Sequence, residues 1–278
     1  MKYAFNTWVY SSFPNWVPAY PLKVVIERLA RIGYDGIELG CASPHAWPYY
    51  LDAARRREIN GWLKENDIVF SSMLPCPGGG PGANIASADK AEREWSVQYV
   101  KDVADMGAEF GCHRVAVVCG WYIFGPRQAD AWNYARDSIA SIADHAAGLN
   151  TILCLEPTPT DSNLVETADD VLEMMRQVGR DNVFTMFDAA HALYRNEPPV
   201  DYVYTLGKTL KHVHLTDYNR QAVGTAGCDF VSVMQALKDI GYDGYVTMEN
   251  GFASRGSHPD SVARISLETL KAIEKSLK

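Results

Sequence analysis

Arg31-Ile32-Gly33-Tyr34-Asp35-Gly36 and, near the other end of the chain, Asp239-Ile240-Gly241-Tyr242-Asp243-Gly244 spell the same joint twice. In each, an amphipathic run halts at a glycine and a short apolar run begins a few residues later. Glycine stops a helix well because it takes positive φ without a Cβ penalty. A joint repeated this way predicts a chain built from recurring helix-to-strand units. Working outward, the same alternation fills the space between. Apolar runs at Tyr3 to Thr7, Gly36 to Leu39, Ile68 to Met73, Arg114 to Cys119, Thr151 to Glu156, Val183 to Asp188, His212 to Thr216 and Tyr245 to Glu249 predict strands. Most are too continuous in apolar residues to keep one face in water, which is how buried parallel strands read.

Between them, Val24, Leu29 and Ile32 recur at helical spacing before Gly33. Ala88 to Met106 is expected to stop at Gly107, Ala129 to Ala147 at Gly148, and Phe230 to Ile240 at Gly241. Thr167 is placed to cap a helix carrying Val171, Leu172 and Met175, and Ser261 to Leu277 closes the chain. Strand and helix units alternating along 278 residues, with no linker rich in Pro, Ser or charge, predict an α/β fold. The expected form is a single (β/α)8 barrel forming one catalytic domain over residues 1–278. A doubly wound sheet is the alternative. It would carry a Gly-rich dinucleotide fingerprint after the first strand, and Thr7 to Pro14 has none.

Composition narrows the function class. The chain is 47% hydrophobic and 22% charged, ordinary for a soluble globular protein, and its net charge of −8 argues against a nucleic-acid surface. The basic run Arg55-Arg56-Arg57 reads as the solvated face of a helix. An N-terminal apolar segment of signal-peptide type is missing, as is a run long enough to span a membrane, so no membrane partner is expected. The 6 cysteines show no C-x-x-C pair and no framework spacing. Reduced thiols in a cytoplasmic protein fit best.

In a barrel, functional side chains sit at the C-terminal ends of strands, where the βα loops open. Four consecutive strand candidates end in a potential hard-metal ligand: Glu156, Asp188, His214 and Glu249. Alternation supports a shared direction. Glu156 has Cys154 two residues back while Leu153 and Leu155 are bulky and apolar, and Glu249 shares its face with Thr247. If these faces point inward, three carboxylates and one imidazole converge at one height. Carboxylates packed so closely repel and are costly to bury unpaired, which a divalent cation resolves. One divalent metal is therefore expected, Mn2+, Mg2+ or Co2+, because oxygen-rich sites with one His suit these ions.

At these motifs the chain resembles the xylose-isomerase-like TIM-barrel superfamily of sugar isomerases and epimerases. Within it the chain looks most like the ketose 3-epimerases of D-tagatose/D-psicose and fructoselysine type. The resemblance rests on Leu155-Glu156-Pro157-Thr158-Pro159-Thr160-Asp161-Ser162-Asn163, Phe187-Asp188-Ala189-Ala190-His191, His212-Val213-His214 and Met248-Glu249-Asn250. It implies a mononuclear Mn2+-type site on the same four residues, with Glu156 and Glu249 serving also as the acid/base pair on opposite faces of the sugar carbon. It further implies substrate contacts at His191 and Arg220. The implied activity is epimerisation of a non-phosphorylated ketose or keto-sugar derivative by proton abstraction and return through an enediolate. Aldose–ketose isomerisation, or elimination from a keto-inositol or 3-keto-glycoside, would use the same ligands. The D-tagatose-type enzymes place a second glutamate six residues after the first ligand, and here that position is Ser162, with Asp161 beside it. Relatives of this barrel often form homodimers or homotetramers, so a homo-oligomer is expected by resemblance.

Several further residues are candidates. Glu38 would point inward if Leu39 points out, either to bind a sugar hydroxyl or to satisfy a barrel-end network. Trp121, with Trp8, Trp16, His45 and Trp47, lies on a βα loop, where aromatics can stack on a sugar. His212 shares the inward face with His214 one layer deeper and reads as a buried hydrogen-bonding group. The Pro- and Gly-rich stretch from Pro75 to Gly82 lacks the G-K-[ST] ending of a phosphate loop and reads as a lid over the substrate.

Overall fold

Every expected strand forms, within two residues of its predicted bounds. They are β1 (Lys2–Asn6), β2 (Gly36–Cys41), β3 (Val69–Pro75), β4 (Arg114–Val118), β5 (Ile152–Glu156), β6 (Val183–Asp188), β7 (Leu210–Leu215) and β8 (Tyr245–Met248). All pair in parallel with their sequence neighbours, and β8 returns to β1, closing the barrel. The structure is a computed structural model and describes residues 1–11, 18–76, 84–251 and 258–277. Most of the Pro- and Gly-rich stretch read as a lid lies outside the described residues, as does Trp16.

The helices are α1 (Leu22–Ile32), α2 (Ala53–Glu65), α3 (Lys90–Glu109), α4 (Gln128–Ala147), α5 (Ala168–Val178), α6 (Ala189–Tyr194), α7 (Pro199–Leu206), α8 (Phe230–Asp239) and α9 (Pro259–Ser276). In α1, Leu22, Val25, Ile26 and Leu29 fall at i, i+3, i+4 and i+7 and are all buried, the stripe that docks a helix on a sheet. Gly33 ends it at φ 103°. At α5, Thr167 Oγ1 accepts from Asp170 N and Asp170 Oδ2 accepts from Thr167 N, a reciprocal cap. One expected stop is corrected, and one holds with a different backbone. Gly107 lies inside α3, where a Cβ would come within 2.9 Å of Met73 Cγ and 3.0 Å of the Cys112 carbonyl oxygen. Its smallness lets the helix approach β3; it does not end the helix. α4 does stop at Gly148, as expected, but Gly148 caps it in the right-handed region and Asn150 takes the left-handed turn at φ 52°.

Two hydrophobic populations follow from the pleat. Residues such as Leu39, Val115, Leu155, Phe187 and Val213 face outward and join the helices in the main core. Inside the barrel, the apolar filling is a small group: Leu74, Ala116, Cys154 and Met186. The same interior holds Asn6, Glu38, Ser72, His212, His214 and Thr247, all fully buried. Two bulges set this arrangement. Between β2 and β3 the register slips at Ser71, so Glu38 faces Ser72. Between β6 and β7 it slips at Lys211, so Met186 faces His212 and Asp188 faces His214. Side chains alternate with a period of two, so without the second slip Lys211 and Val213 would point into the barrel in place of the two histidines.

Candidate active site

Glu156 is the last residue of β5, Asp188 the last of β6, His214 the next-to-last of β7, and Glu249 follows β8 directly. One potential ligand atom from each lies within 4.8 Å of all the others. The four predicted residues therefore do converge at the C-terminal mouth. They are not level. His214 pairs in register with Asp188 on one side and Thr247 on the other, so Glu249 stands one inward position further along its strand. It reaches back to place Oε2 3.3 Å from His214 Nδ1.

The electrostatics of this cluster ask for a cation. Unit charges about 5 Å apart repel by roughly 3 kcal/mol per pair in a partly buried setting. Arg220 answers part of this. Its Nη1 donates to Asp188 Oδ2 at 2.7 Å and to Glu249 Oε2 at 2.6 Å. It reaches there from a tight turn in which both Asn219 and Arg220 have positive φ. Within the cluster, Glu156 Oε1 and His214 Nδ1 are buried without a hydrogen-bond partner and lie 3.7 Å apart. An orphaned buried acceptor costs about 1–3 kcal/mol, and a divalent cation would satisfy both atoms together. Three carboxylates and one imidazole are a donor set for such an ion. The residues present fit the metal that the sequence reading calls for.

Titration behaviour splits the two glutamates. Burial pushes the Glu156 carboxyl well above the ordinary range, and the Glu249 and Asp188 charges add to this against a partial offset from His214. Burial also works against ionising Glu249, but Arg220 and His214 outweigh it and hold that carboxyl down to about 2. For His214, burial is overcome by the charges of Glu38 and Glu249, which raise its pKa well above the usual imidazole value.

His191 completes the wall. Its Nε2 lies 3.6 Å from Asp188 Oδ2, 3.8 Å from Glu156 Oε1 and 3.7 Å from Asp161 Oδ2. Its Nδ1 pairs with Thr160 Oγ1 at 2.8 Å. Burial holds its pKa below the ordinary value. Asp161, about half exposed, thus stands at the mouth, while Ser162 turns away and donates to the Gly120 carbonyl oxygen.

Of the two readings open for Glu38, one is selected. Glu38 does not face the mouth. It is fully buried beneath His214, and both oxygens are engaged by Asn6, Ser72, His212 and His214. The barrel-network reading replaces the sugar-hydroxyl reading. His212, expected deeper and hydrogen-bonded, is found so, with burial holding its pKa down at about 4. Trp121 has its backbone pinned by Asn84, which donates to the carbonyl and accepts from the N–H. It lines a cavity of about 80 Å³ with Asn84, Glu92 and Tyr134. Sequence reasoning missed Thr160, Asn6 and Ser72. The last two carried a faint signal, as polar residues within apolar strands flanking the one that holds Glu38.

With this geometry in place, the relationship is direct. Residues 26–273 match the model of the xylose isomerase-like TIM barrel family. The chain belongs to that family. Among family relatives, fructoselysine 3-epimerase from Escherichia coli is 27% identical over 261 residues, spanning 91% of this chain and 94% of that protein. D-psicose 3-epimerase from Agrobacterium fabrum is 30% identical over 230 residues, spanning 81% and 77%. The solved structure of D-psicose 3-epimerase with D-tagatose from Clostridium cellulolyticum superposes with a TM-score of 0.86 over the full length of both chains, at 22% identity. None of the described helices is long and apolar enough to cross a membrane.

Proposed function

We propose that this member of the family is a metal-dependent ketose 3-epimerase acting on a non-phosphorylated ketose or keto-sugar derivative. The observation that carries the reading is the convergence of Glu156, Asp188, His214 and Glu249 at the barrel mouth, with Glu156 Oε1 and His214 Nδ1 buried in the group without a hydrogen-bond partner. The names of the curated relatives, 3-epimerases of a sugar or sugar adduct, support the reaction type. A divalent cation held there, Mn2+ by preference, would polarise a substrate carbonyl and steady the negative charge that develops next to it.

The chain's own residues divide the remaining work. Glu156 and Glu249 enter the group from different strands, β5 and β8, and so can address opposite faces of a sugar carbon. One carboxylate removes the proton at C3 and the other returns a proton from the far side, which inverts that centre. Glu156 and Glu249 form this acid/base pair, one acting as base while the other acts as acid. Both exchange roles in the reverse direction. His191 and Arg220 stand beside these two carboxylates, 3.8 Å from Glu156 Oε1 and hydrogen-bonded to Glu249 Oε2, and would hold the sugar oxygens that gain charge. We place the whole chain in one catalytic domain and expect a homodimer or homotetramer in the cytoplasm; six free thiols accord with a reducing compartment.

The test is a screen of unmodified ketoses with Mn2+ in D2O, following deuterium entry at C3 by NMR. Exchange at C3 with inversion and no loss of mass is the expected result, abolished in Glu249→Gln. Dehydration, release of an aglycone, or transfer of hydrogen from C1 to C2 would overturn the assignment.

A further inference from the structure

Directly beneath the ligand group lies a second constellation that the proposed chemistry leaves unexplained: Glu38, His212 and His214, all fully buried. His214 belongs to both groups. Its Nδ1 faces Glu156 and Glu249, and its Nε2 lies 2.7 Å from Glu38 Oε1.

The hydrogen-bond roles around Glu38 can be worked out one by one. Asn6 Oδ1 accepts the Trp8 N–H at 2.7 Å, which fixes the orientation of the Asn6 amide. Its Nδ2 must therefore be the atom donating to Glu38 Oε1 at 2.7 Å. The Ser72 hydroxyl donates to the other oxygen, Oε2, at 2.8 Å. Glu38 is thus an acceptor on both oxygens, a buried carboxylate. A buried charge is tolerated only where donors surround it. The remaining donors are the two imidazoles, His214 Nε2 on Oε1 and His212 Nε2 on Oε2, each at 2.7 Å. Each Nε2 must carry a proton, because a bare ring nitrogen 2.7 Å from a carboxylate oxygen would repel it; the two Nε2 atoms, 3.0 Å apart, then turn their hydrogens towards Glu38 and not towards each other, and four donors surround the carboxylate. A metal ion has no place in this lower group, because the atoms that would bind it are already spent on N–H···O contacts. The consequence for His214 is specific. With Nε2 committed to Glu38, Nδ1 is the nitrogen left facing the upper carboxylates, 3.3 Å from Glu249 Oε2 and 3.7 Å from Glu156 Oε1, and the one a metal ion would take on displacing its proton. The ring of His212 packs edge-on against that of His214, centroids 4.8 Å apart at 78°, which also restrains its tilt.

We propose that Glu38 is a positioning residue for the metal site, fixing His214 in the Nε2–H form so that Nδ1 is aimed at the Glu156, Asp188 and Glu249 oxygens. A ligating histidine whose other nitrogen donates to a carboxylate is held in one tautomer and made more basic, and loss of such a partner costs about 10–100-fold in metal affinity. The inference rests on the metal-site reading above. It also accounts for a buried charge inside a barrel whose stability alone would be served by an apolar residue.

The experiment compares the wild type with Glu38→Gln, an isosteric change that removes the charge and turns one acceptor into a donor. Mn2+ affinity of the EDTA-treated proteins is measured by titration calorimetry, with far-UV circular dichroism and thermal melts of the same metal-free samples. The expected result is a loss of affinity of roughly 10–100-fold with a cooperative melt retained. Wild-type affinity in a folded Glu38→Gln protein overturns the proposal and leaves the metal site standing. Absence of binding in the wild type instead removes the reading on which it rests. Should Glu38→Gln fail to fold, the wild type loaded with 113Cd decides: 15N spectra should show cadmium coupling at His214 Nδ1 and a proton on Nε2. Coupling at Nε2 would overturn the proposal.

Discussion

Replacing Arg220 with Met tests the charge balance of the site in a way that separates it from ordinary packing loss. Arg220 supplies the cation hydrogen-bonded to Asp188 and Glu249, and its side chain is only 28% exposed. Removing one partner of a buried ion pair costs about 3–5 kcal/mol, because the other charges stay buried and uncompensated; partial exposure puts this case near 3. Unfolding entropy scales as about 2.1 cal/mol/K per residue, so 278 residues give roughly 0.6 kcal/mol/K. The metal-free variant should then melt about 5 °C below the metal-free wild type. With saturating Mn2+ the same carboxylates are neutralised by the ion, and the gap should shrink to about 2 °C or less. Met keeps the apolar stem, and its cost in the left-handed backbone at position 220 is common to both forms, so it cancels in the comparison. The assay is a pair of thermal melts, in EDTA and in Mn2+, for each protein. An equal drop in both conditions would refute the argument, since it would mean that Arg220 acts by packing and not by balancing the ligand charges.

Three further outcomes follow from the same structure. Gly120→Ala forces a Cβ to 2.7 Å from Asn84 Oδ1 and 2.9 Å from Ala86 N at φ 88°. Left-handed strain of about 1–2 kcal/mol is shared with Gly125→Ala, at φ 109° in open space, so Gly120→Ala should be the more destabilising by its overpacking of about 1–3 kcal/mol, as denaturant melts would show. Asp161→Asn should raise KM for the ketose roughly fivefold with kcat within twofold, the loss of about 1 kcal/mol of exposed charged hydrogen bonding; a collapse of kcat would instead place Asp161 in the chemistry. Glu274, on α9, accepts from the Tyr3 hydroxyl at 2.6 Å and its pKa is lowered, burial being outweighed by its hydrogen bonds. A lowered folded pKa stabilises above the unfolded value near 4.5 and is lost as pH falls through the folded one. Glu274→Gln should therefore lower Tm by about 2 °C at pH 7, a loss of about 1 kcal/mol at this partly exposed site, and the gap should close in the acid limb.

Much of this was legible without coordinates, for stated reasons. Fully buried parallel strands must be continuously apolar, so the eight runs stood out; a polar residue ending such a run must meet either water or a partner. That logic found Glu156, Asp188, His214 and Glu249, and it set His212 on the same face as His214. It failed where the deciding contact is made by residues far apart in sequence. Whether Gly107 ends a helix or admits β3 depends on Met73, which no local pattern shows. Whether Glu38 faces sugar or protein depends on Asn6, Ser72 and His212 arriving from three other strands.

The sequence by itself determined the barrel and the identity of the converging ligands, because both follow from periodicity and from the cost of burying polar groups. Only the tertiary structure decided which way the ligands face and what stands behind them. The slip at Lys211 turns His212 and His214 inward, and the slip at Ser71 brings Ser72 to Glu38. A bulge is a property of two strands paired together, set by how neighbouring side chains fit inside a closed barrel, and neither strand carries it alone.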